Sequence, residues 1–468
     1  MKDKVFETAL WGRSWEDVLS ETDTNYGEAS LTDGEGVRLS IPFGEILSDD
    51  MFGKKESVDC LFGFSRDGEY LVLKNAISLG STESYPGGKK QKLGASCILS
   101  SRERFDVNKN VQSVALELQG LREWLGEVPI TAKHYENRKK LSIEMDLETK
   151  PSIMLSQGDF EISIGHSILT SPLTSAGIKM SHDCYLNIKC SIPCSIDSFI
   201  NNVLYPMQKF FSFCVGKYVS IVDLKFQLAD SQKSINYYAS FLPSKGSISD
   251  TDYMPLPYSV IKNNLSDLFS LWMSFKGDLE RGTSLLVSLL TIEWKMPLDL
   301  VFISAAQLFE AFARHNQKTN DLSETQFTKY LRVTNESIDN EEIRKWVEEK
   351  LKNSNHLSQR KLLKSLLRKL GQFTKYIVPD SMRFLENHLQ LRNAYTHRSK
   401  DCESSKLLKD ADLYWHTQGV LFLSYGAVLF YLGYSPEEII DVFSKSYYQW
   451  YQVSKVQDLY SKVARSTM

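Results

Sequence analysis

Neither sign of charge dominates this sequence: 55 Lys and Arg face 58 Asp and Glu, a formal net of −3. That balance excludes a chain that grips nucleic acid through a global basic field, so any RNA site has to be a local patch. Long apolar runs are missing too. The longest uncharged, largely apolar stretch, Gly419 to Tyr434, is too short to cross a bilayer and is broken by Ser424, Gly426 and three tyrosines. It reads as a buried core helix. Acidic residues interrupt the opening Met1-Lys2-Asp3-Lys4-Val5-Phe6-Glu7 before an apolar run builds up, so this does not read as a signal peptide. Together these points indicate a cytoplasmic protein with no membrane partner.

Cysteine is sparse. Cys60, Cys97, Cys184, Cys190, Cys194, Cys214 and Cys402 are odd in number and scattered, which is not a disulfide framework. His182, Cys184, Cys190 and Cys194 cluster loosely, but no pair has the two-residue spacing that sets two sulfurs on one turn of a zinc knuckle. The three cysteines share strand parity, so packing on the core face of a strand is preferred to metal binding. No metal or other cofactor is expected. Paired carboxylates, a nucleophile elbow and a dinucleotide fingerprint do not stand out. The loop Pro86-Gly87-Gly88-Lys89-Lys90-Gln91-Lys92 lacks the phosphate-loop spacing and reads as a surface turn.

With 468 residues the chain has room for two to four domains. Residues 1 to about 245 have a β-rich texture. Gly27 to Ile41 alternates around an Asp33-Gly34 turn, and Leu61 to Leu73 repeats the device around Asp67-Gly68, both strong hairpin signals. Further strands are expected over 140–148, 159–165, 184–192 and 217–228. An amphipathic helix over about 195–212 interrupts them, carrying Phe199, Val203, Met207, Phe210 and Phe211. A β-sandwich or partly open barrel with one inserted helix follows. Ser244 to Asp252 reads as a polar linker. Beyond it the periodicity is helical, over 260–276, 280–292, 298–315, 323–333, 339–353, 358–370, 380–398, 409–433 and 436–447. Ser435 with Pro436, Glu437 and Glu438 supplies an N-cap, a first-turn proline and two acids that complement the helix dipole. The expected fold class is α+β multidomain: a β-rich region at 1–245, a helical connector at 246–296 and an all-α bundle at 297–468.

The sharpest constellation is Arg392-Asn393-Ala394-Tyr395-Thr396-His397. Transesterification of RNA has to take a proton from the ribose 2′-hydroxyl, stabilise a phosphorane-like transition state and protonate the 5′-oxygen. Histidine titrates near neutrality and serves the proton transfers. Arginine offers fixed, always-charged donors to non-bridging oxygens. The amide of Asn393 orients the histidine or holds the ribose. On an ideal helix Asn393 and His397 share a face, whereas Arg392 lies about 140° around from His397. A two-fold dimer would pool two arginines and two histidines in one cleft. The bland alternative is a solvated helix end, with Arg392 and His397 serving the C-terminal dipole.

A helical bundle with Arg-Asn-x-x-x-His on its penultimate long helix resembles the HEPN superfamily of ribonucleases and RNA-binding domains. The segment Pro297–His315, "PLDLVFISAAQLFEAFARH", resembles the first HEPN helix. The hairpins in Gly27–Gly44 ("LTDGEGVRLSIPFG") and Leu61–Ile77 ("LFGFSRDGEYLVLKNAI"), preceded by Trp11, resemble the β-rich N-terminal domain of ApeA-like anti-phage proteins. The resemblance implies an abortive-infection ribonuclease with a β-rich sensor, quiet until a phage-encoded protein triggers it. Its substrate would be host RNA, with transfer RNA a candidate, and it would form a homodimer or higher homo-oligomer through the HEPN domain. Arg392 and His397 become the catalytic pair and Asn393 its polar support. Glu310 lies in an otherwise apolar stretch of the first HEPN-like helix, where an unpaired carboxylate is costly. Two partners stay open for it, Arg392 and, one turn on, Arg314.

Weaker candidates surround this motif. The basic face of 358–370, with Lys361, Lys364 and Arg368, suits either an RNA backbone or plain solvation. Tyr395 suits base stacking or, more simply, core packing. His416 suits the cleft wall or a satisfied interior position. The competing functional reading is a non-catalytic RNA- or protein-binding dimerisation module joined to a β-rich ligand receptor.

Overall fold

The computed structural model describes residues 4–461 apart from 33–35, 49–54, 85–87, 127–129, 136–139, 146–153, 158–159, 173–179, 230–232, 240–253, 292–295, 316–319, 353, 398–407, 409 and 446. The Asp33-Gly34 turn, the Pro86-Gly87 step and the Ser244–Asp252 linker lie outside the described residues. The chain divides into two units, Met1–Met273 and Ser274–Met468, so the expected connector 246–296 is shared between them.

The first unit opens with β1 (Lys4–Gly12), α1 (Trp15–Ser20), β2 (Asn25–Thr32), β3 (Gly36–Ile41), β4 (Ser57–Ser65), β5 (Tyr70–Ser84), β6 (Gly88–Ala95) and β7 (Cys97–Ser101). The two hairpins expected from the sequence are β2–β3 and β4–β5. All pairings here are antiparallel, and because β5 pairs with β6 as well as β4, strands β1-β2-β3-β6-β5-β4 close into a ring. The barrel is therefore closed rather than partly open. The reason is the length of β5: its first half pairs with β4 and β7, and its second half, beyond a left-handed Asn75 (φ 52°), pairs with β6.

Apolar side chains at alternate positions fill the ring, among them Phe6, Leu31, Leu39, Leu61, Leu73 and Leu93. The largest is Trp11, 0 % exposed, whose Nε1 donates to the Gly27 carbonyl at 3.2 Å. Gly63 stands opposite Trp11 in the register, and a Cβ there would lie 2.7 Å from the indole ring. Only a residue without a side chain admits the indole at this layer.

The sheet continues past the barrel through β7. The remaining elements are β8 (Val111–Leu118), α2 (Leu121–Leu125), β9 (Ile130–Tyr135), β10 (Lys140–Met145), β11 (Met154–Gln157), β12 (Phe160–Thr170), β13 (Met180–Cys194), α3 (Ile196–Phe199), α4 (Tyr205–Val215), β14 (Ile221–Leu228), β15 (Ser234–Ala239), α5 (Tyr258–Ile261) and α6 (Leu265–Met273). Their order is β7-β15-β14-β8-β13-β12-β11, with β9–β10 a separate hairpin. A π-helical turn over Ile200–Leu204 joins α3 to α4, which together make the expected inserted helix. Phe199 packs edge-on against Phe226 of β14. Trp272 Nε1 donates to the Pro206 carbonyl at 2.9 Å and its ring lies 5.3 Å from that of Phe213. These contacts hold α6 against α4.

The second unit comprises α7 (Asp278–Thr291), α8 (Leu298–Arg314), α9 (Glu324–Glu336), α10 (Glu341–Leu351), α11 (Gln359–Lys369), α12 (Gly371–Ile377), α13 (Ser381–His397), α14 (Asp410–Tyr431), α15 (Pro436–Lys445) and α16 (Tyr447–Ser461). α14 is buried around most of its circumference, as its apolar run requires. Among the described residues no helix is long and apolar enough to cross a membrane. α8 packs against α7, α11, α13 and α14. Ser435 and Glu438 cap α15 reciprocally, each side chain accepting from the other's backbone N–H. α12 and α16 have no counterpart among the expected segments. Left-handed Gly371 (φ 49°) starts α12 as a new helix where α11 ends.

The barrel layer is directly testable. Gly63→Ala forces the indole of Trp11 or its strand to shift and is expected to destabilise the first unit by about 1–3 kcal/mol. A chemical-denaturation midpoint equal to that of the wild type would show that the layer tolerates a methyl group.

Candidate functional site

α13 has a core face and a solvent face. Phe384, Leu385, His388 and Leu391 are buried, while Asn393 and Thr396 are exposed. The alternation follows from helical periodicity, and Arg392 falls on the border between the faces. His397 closes the helix; its side chain lies outside the described residues. Thr396 Oγ1 donates to the Arg392 carbonyl at 2.7 Å, a back-bond that uses the last helical turn.

Arg392 is tied to α8. Its Nη2 lies 3.8 Å from Glu310 Oε2, an ion-pair distance too long for a direct hydrogen bond. Arg314 Nη2 donates to Glu310 Oε1 at 2.6 Å, and Gln359 Nε2 donates to Oε2 at 3.2 Å. Glu310 therefore meets both partners left open by the sequence, with the shorter contact going to Arg314. Its side chain is 16 % exposed, so two donors from α8 and α11 and the Arg392 charge from α13 meet a largely desolvated carboxylate.

Beneath Arg392 lies an aromatic box that the sequence did not disclose. The His388 ring is 5.6 Å from Phe302, 5.7 Å from Phe309 and 5.6 Å from His416. Neither His388 nitrogen has a hydrogen-bond partner among the described residues. Burial, and secondarily the Arg392 charge one turn on, push its pKa down to about 3. His416 is also held well below the ordinary range, by burial and then by His388, and its Nδ1 is 2.5 Å from the Tyr460 hydroxyl. The interior reading of His416 is the one realised. A polar residue at a core position one turn before Arg392 was the available signal for His388.

Tyr395 packs on the same interior, its ring 5.9 Å from Phe302. Burial first, and Asp299 second, raise its pKa. On α11, Lys361 pairs with Asp321 at 2.5 Å and Arg360 with Glu386 at 3.6 Å. Lys364 is half-buried and Arg368 exposed. Part of the basic face is thus already neutralised by protein carboxylates. In the first unit, Cys184 and Cys190 are buried as their shared parity leads one to expect, whereas Cys194, at the end of β13 and neighbouring Cys190, is half-buried. The loose sequence cluster is split: His182 and Cys184 meet His166, while Cys190 stands six residues further along β13, about 20 Å away.

Residues 14–272 match the family described as ApeA N-terminal domain 1, and residues 303–438 match Apea-like HEPN. No curated protein and no solved structure matches the chain.

The buried imidazoles give the second unit a defined acid response. An unfolded histidine titrates near 6.5, so above that pH His388 is neutral in both states and contributes no pH dependence. Below it the unfolded chain takes up a proton that folded His388, with its pKa of about 3, refuses. Stability should fall by about 1.4 kcal/mol per pH unit for each such histidine as pH drops from about 6.5 toward 4. His388→Leu is expected to flatten the pH dependence of the urea midpoint in that window; identical slopes would contradict this assignment.

Proposed function

The chain belongs to the ApeA family and carries a C-terminal HEPN domain, and on that premise we propose that it is an anti-phage effector whose second unit cuts RNA. The observation that carries this reading is the Glu310–Arg392 pair. A carboxylate on α8 holds an always-charged guanidinium at the surface edge of the helix that also bears Asn393 and His397. In the proposed reaction the ribose 2′-oxygen attacks the adjacent phosphorus, forming a 2′,3′-cyclic phosphate and breaking the bond to the 5′-oxygen. His397 serves the proton transfers, Arg392 stabilises charge on the non-bridging oxygens, and Asn393 orients the ribose or the imidazole. None of these steps calls for a metal ion.

Arg392 and His397 are about 140° apart on one helix, so the reading includes a second copy of the chain that completes the cleft. The first unit is the sensor for a phage-encoded protein, and detection releases cleavage of host RNA, with transfer RNA the candidate substrate. Lys364 and Arg368 are better placed than Lys361 to follow the RNA backbone, because Lys361 first has to leave Asp321.

The test is growth and RNA integrity in cells infected with a triggering phage. Wild type should arrest growth and fragment RNA. Arg392→Ala and His397→Ala should each slow cleavage about 100-fold or more and abolish the arrest. Glu310→Gln keeps the guanidinium but loosens its anchor, and should fall between. Equal toxicity and equal fragmentation in all four proteins would refute the reading. Binding of RNA without fragments in the wild type would favour a holding module instead.

A further inference from the structure

We propose that His166, His182 and Cys184 form a site for one transition-metal ion of the zinc class in the first unit, separate from the RNA-cutting centre. β12 and β13 are antiparallel, with His166 directly opposite Cys184 and Ile168 opposite His182. Opposed residues share a sheet face, and so do residues two apart on one strand. The register therefore sets both imidazoles and the thiol on the same face. That placement needs a neighbouring strand, which is why spacing along the sequence missed His166.

The donor atoms converge. His166 Nδ1 lies 3.0 Å from His182 Nε2, and Cys184 Sγ lies 3.4 Å from the first and 3.5 Å from the second. Zinc–nitrogen bonds of about 2.0–2.1 Å and zinc–sulfur bonds of about 2.3 Å give tetrahedral edges of about 3.3 Å for N–N and about 3.6 Å for S–N. The observed triangle is close to one face of such a tetrahedron, so an ion can seat against it without the strands moving. The two rings are nearly parallel, 16° apart with centroids at 5.2 Å, which brings their nitrogens side by side.

The surroundings favour a built site over an accident of the surface. His182 and Cys184 are each 4 % exposed, on a strand face that continues with Leu186 and Ile188. Arg122 Nη1 donates to the His182 carbonyl at 3.2 Å, anchoring that strand position. Two imidazoles and a sulfur suit zinc or a neighbouring first-row ion and disfavour magnesium and calcium, which take oxygen. On binding, the thiol proton leaves to solvent as the sulfur–metal bond forms, while both imidazoles bind as neutral ligands. The fourth corner is left for water or another donor. β12 and β13 lie next to the β11 end of the sheet, so the ion would clamp the strands there and stabilise the first unit.

The test uses the full chain and reads metal rather than RNA cleavage, so it stands or falls independently of the nuclease reading. Protein loaded with Zn²⁺ and desalted should retain a single ion per chain by elemental analysis. Loading with Co²⁺ should give a thiolate-to-cobalt charge-transfer band. Cys184→Ser should lose the band, His166→Gln and His182→Gln should lose the ion, and Cys190→Ser and Cys194→Ser should keep both. Chelation should lower the melting temperature of the wild type and leave that of Cys184→Ser unchanged. Wild-type protein that retains no ion, or binds cobalt without the charge-transfer band, would overturn the proposal whether or not the variants fold. So would retention at the wild-type level in both Cys184→Ser and His166→Gln.

Discussion

A carboxylate set among apolar side chains has to find cations, and the candidate site is arranged around that requirement at Glu310. α8 is otherwise a core helix, burying Phe302, Ala306, Phe309 and Phe312. One carboxylate on it gathers Arg314 from its own next turn, Gln359 from α11 and Arg392 from α13. Removing the acid would leave two guanidinium groups close together with no counter-charge between them. The interaction that stabilises the helix junction is therefore also the one that orients the candidate catalytic arginine. Below it the neutral His388 and His416 keep the box under Arg392 free of competing positive charge.

The first unit rests on a different constraint, the closure of six strands around Trp11. Closure depends on β5 changing partner partway along its length, and the indole fits because Gly63 faces it. The same sheet then runs on past the barrel to β12 and β13, where His166, His182 and Cys184 converge. A mostly apolar ladder thus carries a polar cluster near its end.

Much of this organisation was legible in the sequence because local rules govern it. The β2–β3 and β4–β5 hairpins follow from period-two alternation around Asp-Gly, α8 and α13 from their apolar periodicity, and α14 from its uncharged apolar run. Ser435 was readable as a cap because its partners are adjacent in the chain. What stayed hidden depends on register or on long-range packing. Barrel closure needs the second half of β5 to find β6, and no local pattern encodes that partner. His166 joins His182 and Cys184 only through strand pairing. His388 looks like any polar residue until the rings around it are known. The sequence leaves two partners open for Glu310, and a carboxylate with two oxygens meets both.

The central claim is that Arg392 and His397 support transesterification, a reaction that leaves its own signature on the product. The most direct measurement is the chemistry of the RNA ends formed when the triggered protein acts. Fragments ending in 2′,3′-cyclic phosphate with 5′-hydroxyl partners, present with wild type and absent with His397→Ala, are the predicted result. Fragments ending in 3′-hydroxyl groups, or cyclic-phosphate ends that persist in His397→Ala, would contradict it.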